Sequence, residues 1–582
     1  MSELLLAIML VVPLVLAAAQ GLVPRTGWLD HLTAWAALPG LLLALWGNDF
    51  SHEVPWLLLG SHLGLDLTGR IFLGLTAGLW LAAGVYAKAY LADDPRGCQF
   101  QVFFLVTMTG NLGVTVAQDG VSFLTFFTVM SLAAYGLIVH DRLAASLRAG
   151  KVYIVMTVTG ETLLLVAMVL LAVQTGSVQF EGLAQRLTAS AGRDWIIGLL
   201  LAGFGIKLGI MPLHVWLPLA HPAAPTPASA VLSGVMIKTG LLGLLRTLPL
   251  GTESFTQWGK LCLAAGIATC FFAAFIGTLQ RNPKAVLAYS SISQMGLILL
   301  ILALALIAPA AWPMVGTALL VWVVHHGLAK SALFFGVGIA GASMRAAPLR
   351  GLFMTTMTLP ALALTGLPLT LGFTAKGGAK YASAMLEPSS GMLAWVFLLS
   401  TASTTLLVLR FLWTVWPTSS PIHSHNRPAT GMLVPWAILC MSVSGSFFFV
   451  QFRQWTDPAW SSLTASAVWT SSWPIVAAIA FAALMIRPLK RWQTGGRICI
   501  PEGDICGPIV LLANWILRSC NPPDGKFPVA GKVALAHPTW VHHFSGIILR
   551  KFDELAALVE NDTIAALIFA LLAVVLLLIS LG

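Results

Sequence analysis

Apolar runs of about 18–25 residues recur along almost the whole chain, each long enough to cross the ~30 Å hydrocarbon core of a bilayer as a helix. Lipid offers no water, so a spanning segment must satisfy its own backbone hydrogen bonds. Runs of this length do so as helices, which excludes a β-barrel. About fifteen or sixteen spans can be read this way, among them 31–47, 195–211, 228–248 and 352–376. Composition agrees, with 58% hydrophobic and 9% charged residues in 582. The first span, residues 3–20, lacks a basic flank and a small-residue cleavage site, so it reads as a retained helix and not a signal peptide.

The net charge of +10 raises the question of nucleic acid, but its distribution answers differently. Basic residues gather in alternate loops, as Arg142, Arg148 and Lys151, Arg281 and Lys284, Arg345 and Arg350, and Arg487, Lys490, Arg491 and Arg497. The opposite loops, 48–70 and 175–194, are neutral or acidic. This asymmetry predicts a multi-pass protein of the cell inner (plasma) membrane with its N-terminus on the non-cytoplasmic side, and no nucleic-acid partner. The seven cysteines are scattered; Cys499, Cys506 and Cys520 share one long segment, but their spacing fits no iron–sulfur or zinc framework. The loop histidines His52 and His62, His423 and His425, and His542 and His543 read as solvated, so no metal is expected.

The chain divides into N-terminal spans (1–99), a first five-helix block (100–248), a second (259–416), further spans (417–486), a cytoplasmic-side surface segment (487–561) and a C-terminal anchor (562–582). The surface segment holds two amphipathic stretches, "GPIVLLANWILRSC" and "FSGIILRKFDELAALVE", too short and too charged to span. Two spans carry helix breakers beside a lysine. In "LLLAGFGIKLGIMPLHVWLP", Lys207 precedes Pro212, His214 and Pro218; in "LTGLPLTLGFTAKGGAK", Pro368 and Gly372 precede Lys376. Interrupted helices at matching places in two halves are the pattern of inverted-repeat transporters, whose working site lies near the bilayer midplane. The expected fold is an all-α polytopic membrane protein of about 14–16 transmembrane helices, with two inverted five-helix repeats, each with a broken helix.

A lysine at the centre of a spanning helix costs ~2.5–3.5 kcal/mol. Several at mid-depth call for a role. Glu161 lies ten residues beyond Lys151, about 15 Å into its span, and Lys238 lies at a similar depth in its own. His326 and Lys330 are one turn apart on one face, and Ser290, Ser293 and Gln294 are spaced to share another. Together with Lys207 these groups predict a polar strip bridged by water. A dry site disfavours a charged lysine and a nearby carboxylate favours it, so approach and withdrawal of Glu161 would switch Lys207 between holding and releasing a proton.

The stretch "KLGIMPLHVWLPLAHPAAPTPASAVLSGVMIKTG" (207–240) closely resembles the proton-conducting antiporter-like membrane subunits of respiratory complex I, a family that includes Mrp-type cation/proton antiporters and membrane hydrogenases. "NPKAVLAYSSISQMG", "HHGLAKSALFFGVG" and "GLPLTLGFTAK" follow in the family's order, and the resemblance covers roughly residues 60–420. It implies that Lys207 is the lysine of the first broken helix, that Lys238 links two half-channels, that His326 and Lys330 are the central pair of the second half, and that Lys376 is the terminal lysine. The departures are specific. Thr128 stands where many relatives carry the glutamate that partners the first lysine, Leu219 replaces an aspartate, and Trp322 replaces a histidine found in some members. Glu161, on the next helix, is the expected replacement carboxylate.

The resemblance implies a proton-translocating subunit of a redox-driven, complex-I-like assembly. The alternatives are a subunit of a cation/proton antiporter, and an ion-coupled membrane partner in inorganic-carbon uptake beside a soluble zinc protein. Other membrane subunits are expected partners in each case, with peripheral redox subunits in the first. No cofactor and no catalytic site of its own are expected on this chain, because nucleotide fingerprints, cysteine clusters and nucleophile triads are missing.

Overall fold

The computed structural model describes residues 2–22, 27–54, 60–340, 347–386, 390–416, 429–453, 455–457, 461–494 and 502. It opens with α1 (Ser2–Leu22), α2 (Gly27–Trp35) and α3 (Leu38–Trp46), then a hairpin of β1 (Phe50–Val54) and β2 (Ser61–Leu65), then α4 (Leu67–Tyr90). The first block follows as α5 (Gly97–Val116), α6 (Gly120–Ile138), α7 (Ala144–Thr175), the short α8 (Leu183–Thr188), α9 (Arg193–Leu208), α10 (Trp216–Ala223), α11 (Thr226–Gly234) and α12 (Thr239–Thr247). The second is α13 (Thr256–Leu279), α14 (Pro283–Ile307), α15 (Trp312–Ala340), α16 (Ala347–Ala363), α17 (Leu371–Ser383) and α18 (Ser390–Val415); α19 (Thr430–Phe452) and α20 (Ala465–Thr494) complete it. Among the described residues, twelve helical stretches are long and apolar enough to cross a membrane.

The two blocks begin on opposite faces. At the start of α5, Arg96 donates to the Asp141 carbonyl in the α6–α7 loop at 3.1 Å. At the start of α13, Glu253 pairs with Arg193 at 2.6 Å, beyond the far end of α7. With 32 residues, α7 separates these faces by about 48 Å. In each block the fourth span is the interrupted one, α9–α10 in the first and α16–α17 in the second, so the blocks are related by inversion. Glu3 lies 3.4 Å from His52 on β1, which puts the N-terminus on the face of the hairpin and the 175–194 loop.

Several elements differ from the sequence reading. The span at 31–47 is α2 and α3, with Pro39 setting the second helix's first turn. The interruption expected within 352–376 falls between α16 and α17, where Gly366 (φ +88°) and Leu369 (φ +65°) turn the backbone out of the helix. Pro218 does not break the helix; it sits in the first turn of α10, where its missing N–H costs no intrahelical bond. A further break occurs inside 228–248, where Val235 leaves helical geometry and Met236–Lys238 form one 3-10 turn. The loop after α3 is a β-hairpin whose inner strand buries Leu63 and Leu65, and α20 continues to Thr494, past the point where the spanning domain reads as ending. The rest of the segment to 561, apart from Glu502, and the anchor at 562–582 lie outside the described residues, as do Cys499, Cys506, Cys520, His423, His425, His542 and His543.

Small residues set the closest helix approach. A Cβ on Gly266 of α13 would stand 2.7 Å from the Gly296 carbonyl and 2.9 Å from the Leu300 amide of α14. Lipid tails do not drive helices together, so close backbone packing of this kind holds the bundle.

Candidate functional site

Helix breaks free backbone groups, and Lys207, Lys238 and Lys376 sit on or beside them. Lys207 is the penultimate residue of α9, before the turn at Gly209 (φ +72°). Its ammonium donates to the Ser131 hydroxyl of α6 at 2.9 Å and lies 5.1 Å over the Phe127 ring. Across from it, Glu161 of α7 faces the Thr128 and Ser131 hydroxyls, and its buried Oε1 has no partner at hydrogen-bond distance. Glu161, Ser131 and Lys207 line one cavity of about 10 Å³, room for about a single water. Ser131 therefore stands between ammonium and carboxylate. Thr128 of α6 faces the Glu161 carboxylate, which reaches it from the neighbouring helix.

The stem of Lys207 packs on α12, where a Cβ on Gly240 would meet it at 3.3 Å. Two residues earlier is Lys238, on the 3-10 turn. Its ammonium donates to the Ser233 carbonyl at 2.8 Å and to that of Gly234. The break explains these bonds. The Lys238 amide bonds the Val235 carbonyl in place of Gly234's, which frees an oxygen for the side chain. Ser233 also meets the Ser291 hydroxyl of α14 at 2.8 Å.

His326 and Lys330 share one face of α15. The His326 ring lies within electrostatic reach of Lys238, Lys330 and His325, and neither ring nitrogen has a hydrogen-bond partner among the described residues. Lys330 donates to the Leu287 carbonyl of α14 at 2.8 Å. In the second break, Lys376 of α17 donates to the Thr365 carbonyl at 2.8 Å and the Thr401 hydroxyl of α18 at 3.0 Å. Each of these four lysines is at most 5% exposed, and each ammonium is held by carbonyls or hydroxyls. Hydrogen bonds of this kind offset part of the cost of burying a cation.

The supporting residues divide. Ser290 is buried without a partner for its hydroxyl among the described residues, Ser293 faces the Cys270 thiol at 3.6 Å, and Gln294 is held by Thr404 and Trp322 at 3.3 and 3.2 Å. Ser290, Ser293 and Gln294 lie within about 100° of one another around α14, and the partners of the last two come from α13, α15 and α18. Trp322 fills the place of a histidine by donating to Gln294. His214 packs edge-on against Phe272 at 5.5 Å. Sequence reasoning missed Ser131, Ser233, Ser291, His325 and Thr401. Ser131 alone left a signal, one turn from Thr128 on the same face.

On the hairpin face, Arg246 at the end of α12 donates to both carboxylate oxygens of Asp66, which caps α4. Burial pushes the Asp66 carboxyl up, but the Arg246 hydrogen bond and charge outweigh it and hold it below the usual carboxylate range.

Comparison with known proteins follows from this geometry. Residues 117–402 match the model of the NADH:quinone oxidoreductase/Mrp antiporter transmembrane family. The chain is an antiporter-like membrane subunit of this family. It is 31% identical over 271 residues to hydrogenase-4 component B of Escherichia coli K12, covering 45% of this chain and 40% of that protein. It is 32% identical over 344 residues to NADH-quinone oxidoreductase subunit N of Desulforudis audaxviator, covering 55% and 66%. The chain spans about half the length of the curated relatives it matches. The structure of the Mrp complex from Dietzia sp. DQ12-45-1b shares the fold, with a TM-score of 0.66 at 19% identity over 81% of this chain and 99% of that one. All three breaks, and all four lysines, fall inside the matched family domain.

Proposed function

We propose that this chain translocates protons as a membrane subunit of a redox-driven, complex-I-like assembly in the bacterial inner membrane. Its relay is Glu161, Lys207, Lys238, His326, Lys330 and Lys376. The observation that carries this reading is the set of four buried lysines, three of them on or beside the helix breaks, whose ammonium groups bond carbonyls and hydroxyls. An apolar side chain would pack these positions at far lower cost, so stability gives no reason to keep the charges. Carbonyl and hydroxyl acceptors suit an ammonium and leave it free to lose its proton to a neighbour. The sparse carboxylates of the spans do not make an oxygen-rich cage for sodium or calcium.

In this reading Lys207 and Glu161 form the first station, with Ser131 as their bridge. Lys238, His326 and Lys330 form the central one, and Lys376 the last. The N-terminus lies on the non-cytoplasmic side, because the hairpin face carries fewer basic residues than the face of Arg142, Arg148 and Lys151. The second reading, a subunit of a cation/proton antiporter, uses the same relay and draws on the same family description.

The test is purification with the native neighbours, followed by reconstitution into vesicles that report internal acidification. Co-purifying flavin and iron–sulfur proteins are expected; only small membrane proteins beside the chain would select the antiporter. Glu161→Gln should assemble normally and lose coupled proton movement. Near-normal transport by that variant would reject Glu161 as the replacement carboxylate.

A further inference from the structure

His325 precedes the family's central histidine and faces another part of the molecule. It is 2% exposed, and its Nδ1 is buried without a hydrogen-bond partner among the described residues. Leaving such a nitrogen unpaired costs about 1–3 kcal/mol, which packing alone does not justify. The other end of the ring rests on α17: a Cβ on Gly372 would stand 2.8 Å from Nε2 and 2.9 Å from Cε1. Gly372 is one helical turn before Lys376, on the same face of α17. Lys376 and Lys238 lie within electrostatic reach of the ring.

These contacts give the two histidines different neighbours. His326 belongs with Lys238 and Lys330, while His325 reaches from that group toward the second break. Without a Cβ at Gly372, both the imidazole and the Ala363 carbonyl can close on the α17 backbone; a Cβ there would run into that carbonyl and would press on the ring as well.

We infer that His325 is a relay residue, the stepping stone by which a proton passes between the Lys238 cluster and Lys376. This rests on the proton-carrying reading above. Neutral imidazole takes a proton on one ring nitrogen as the Lys238 ammonium becomes an amine. The imidazolium then gives the proton on its other nitrogen to the neutral Lys376 amine, directly or through water. Charge and protons balance at each step, and the ring is left as the other tautomer, which a ring flip resets. Gly372 is the positioning residue that makes the approach possible.

The experiment uses the reconstituted complex with four variants: His325→Asn, Gly372→Ala, the two combined, and Lys376→Met. Assembly is checked by co-purification of the neighbouring subunits. His325→Asn should assemble and slow proton translocation at least tenfold. Gly372→Ala, whose Cβ also meets the Ala363 carbonyl, should slow it at least as much, and the double variant should be no slower than Gly372→Ala alone. Transport within twofold of wild type in assembled His325→Asn overturns the inference, and so do additive losses in the double variant. If Asn at 325 prevents assembly, Gly372→Ala decides alone, an unchanged rate being fatal. Lys376→Met separates the two levels. If it transports normally, the relay reading itself fails; if it is inactive while His325→Asn is not, only the role of His325 falls.

Discussion

Ser131→Ala is the perturbation that most directly probes the first station. Among the described residues, the Ser131 hydroxyl is the hydrogen-bond partner of the Lys207 ammonium, at 2.9 Å, and it also faces Glu161. A hydrogen bond to a charged group contributes about 1.5–3 kcal/mol. If the bond holds the ammonium where it exchanges a proton, its loss raises the barrier by that amount, slowing transport by about 10- to 150-fold. The effect on folding should be modest, since Ser131 is fully buried and alanine removes a single atom without adding bulk. The assay is internal acidification of vesicles carrying the reconstituted complex, with subunit co-purification as the control for assembly. Ser131→Thr keeps the hydroxyl and should retain most of the rate. An assembled Ser131→Ala complex with full transport would refute the idea that this hydroxyl connects Lys207 and Glu161.

Thr401→Val removes one of two partners of Lys376 and leaves the Thr365 carbonyl, so transport should slow less than in Ser131→Ala; an equal or larger loss in the same assay counts against this ordering. Gly266→Ala places a Cβ against backbone atoms of α14 that no rotamer change can relieve; a cost of about 1–3 kcal/mol should appear as a lower melting temperature in detergent, and an unchanged one would refute the packing argument. Asp94 lies in the loop before α5, where burial pushes its carboxyl up but hydrogen bonds from His140 and the Arg96 amide outweigh that and hold it below its ordinary value of 3.8. Its stabilising effect is therefore complete above that value and fades as pH falls through the lower folded one. Melting temperature measured against pH should fall less steeply below about pH 4 in Asp94→Asn than in wild type, and parallel curves would remove Asp94 from the account.

Much of this protein is legible without coordinates because the forces concerned act along the chain. A run of apolar residues long enough to span lipid must be helical, whatever surrounds it. Lys207 before Pro212, and Pro368 before Lys376, mark interrupted spans because proline lacks the N–H that a helix needs. Four ordered motifs identified the family. The third break was not legible: Gly234 is a weak signal among many glycines, and the carbonyls that the 3-10 turn frees for the Lys238 ammonium are seen only in the fold.

Proximity between helices belonged to the tertiary structure alone. Glu161 stood out as a mid-membrane carboxylate, but only packing of α6, α7 and α9 brought it to Ser131 and the cavity of Lys207. Adjacent residues on a helix point about 100° apart, so a small rotation of one helix decides which of two neighbours meets a given partner. His325 and His326 are written side by side, yet one rests on Gly372 of α17 while the other turns to Lys238 and Lys330. That choice is made by many weak contacts summed over whole helix faces, and no local pattern of residues encodes it.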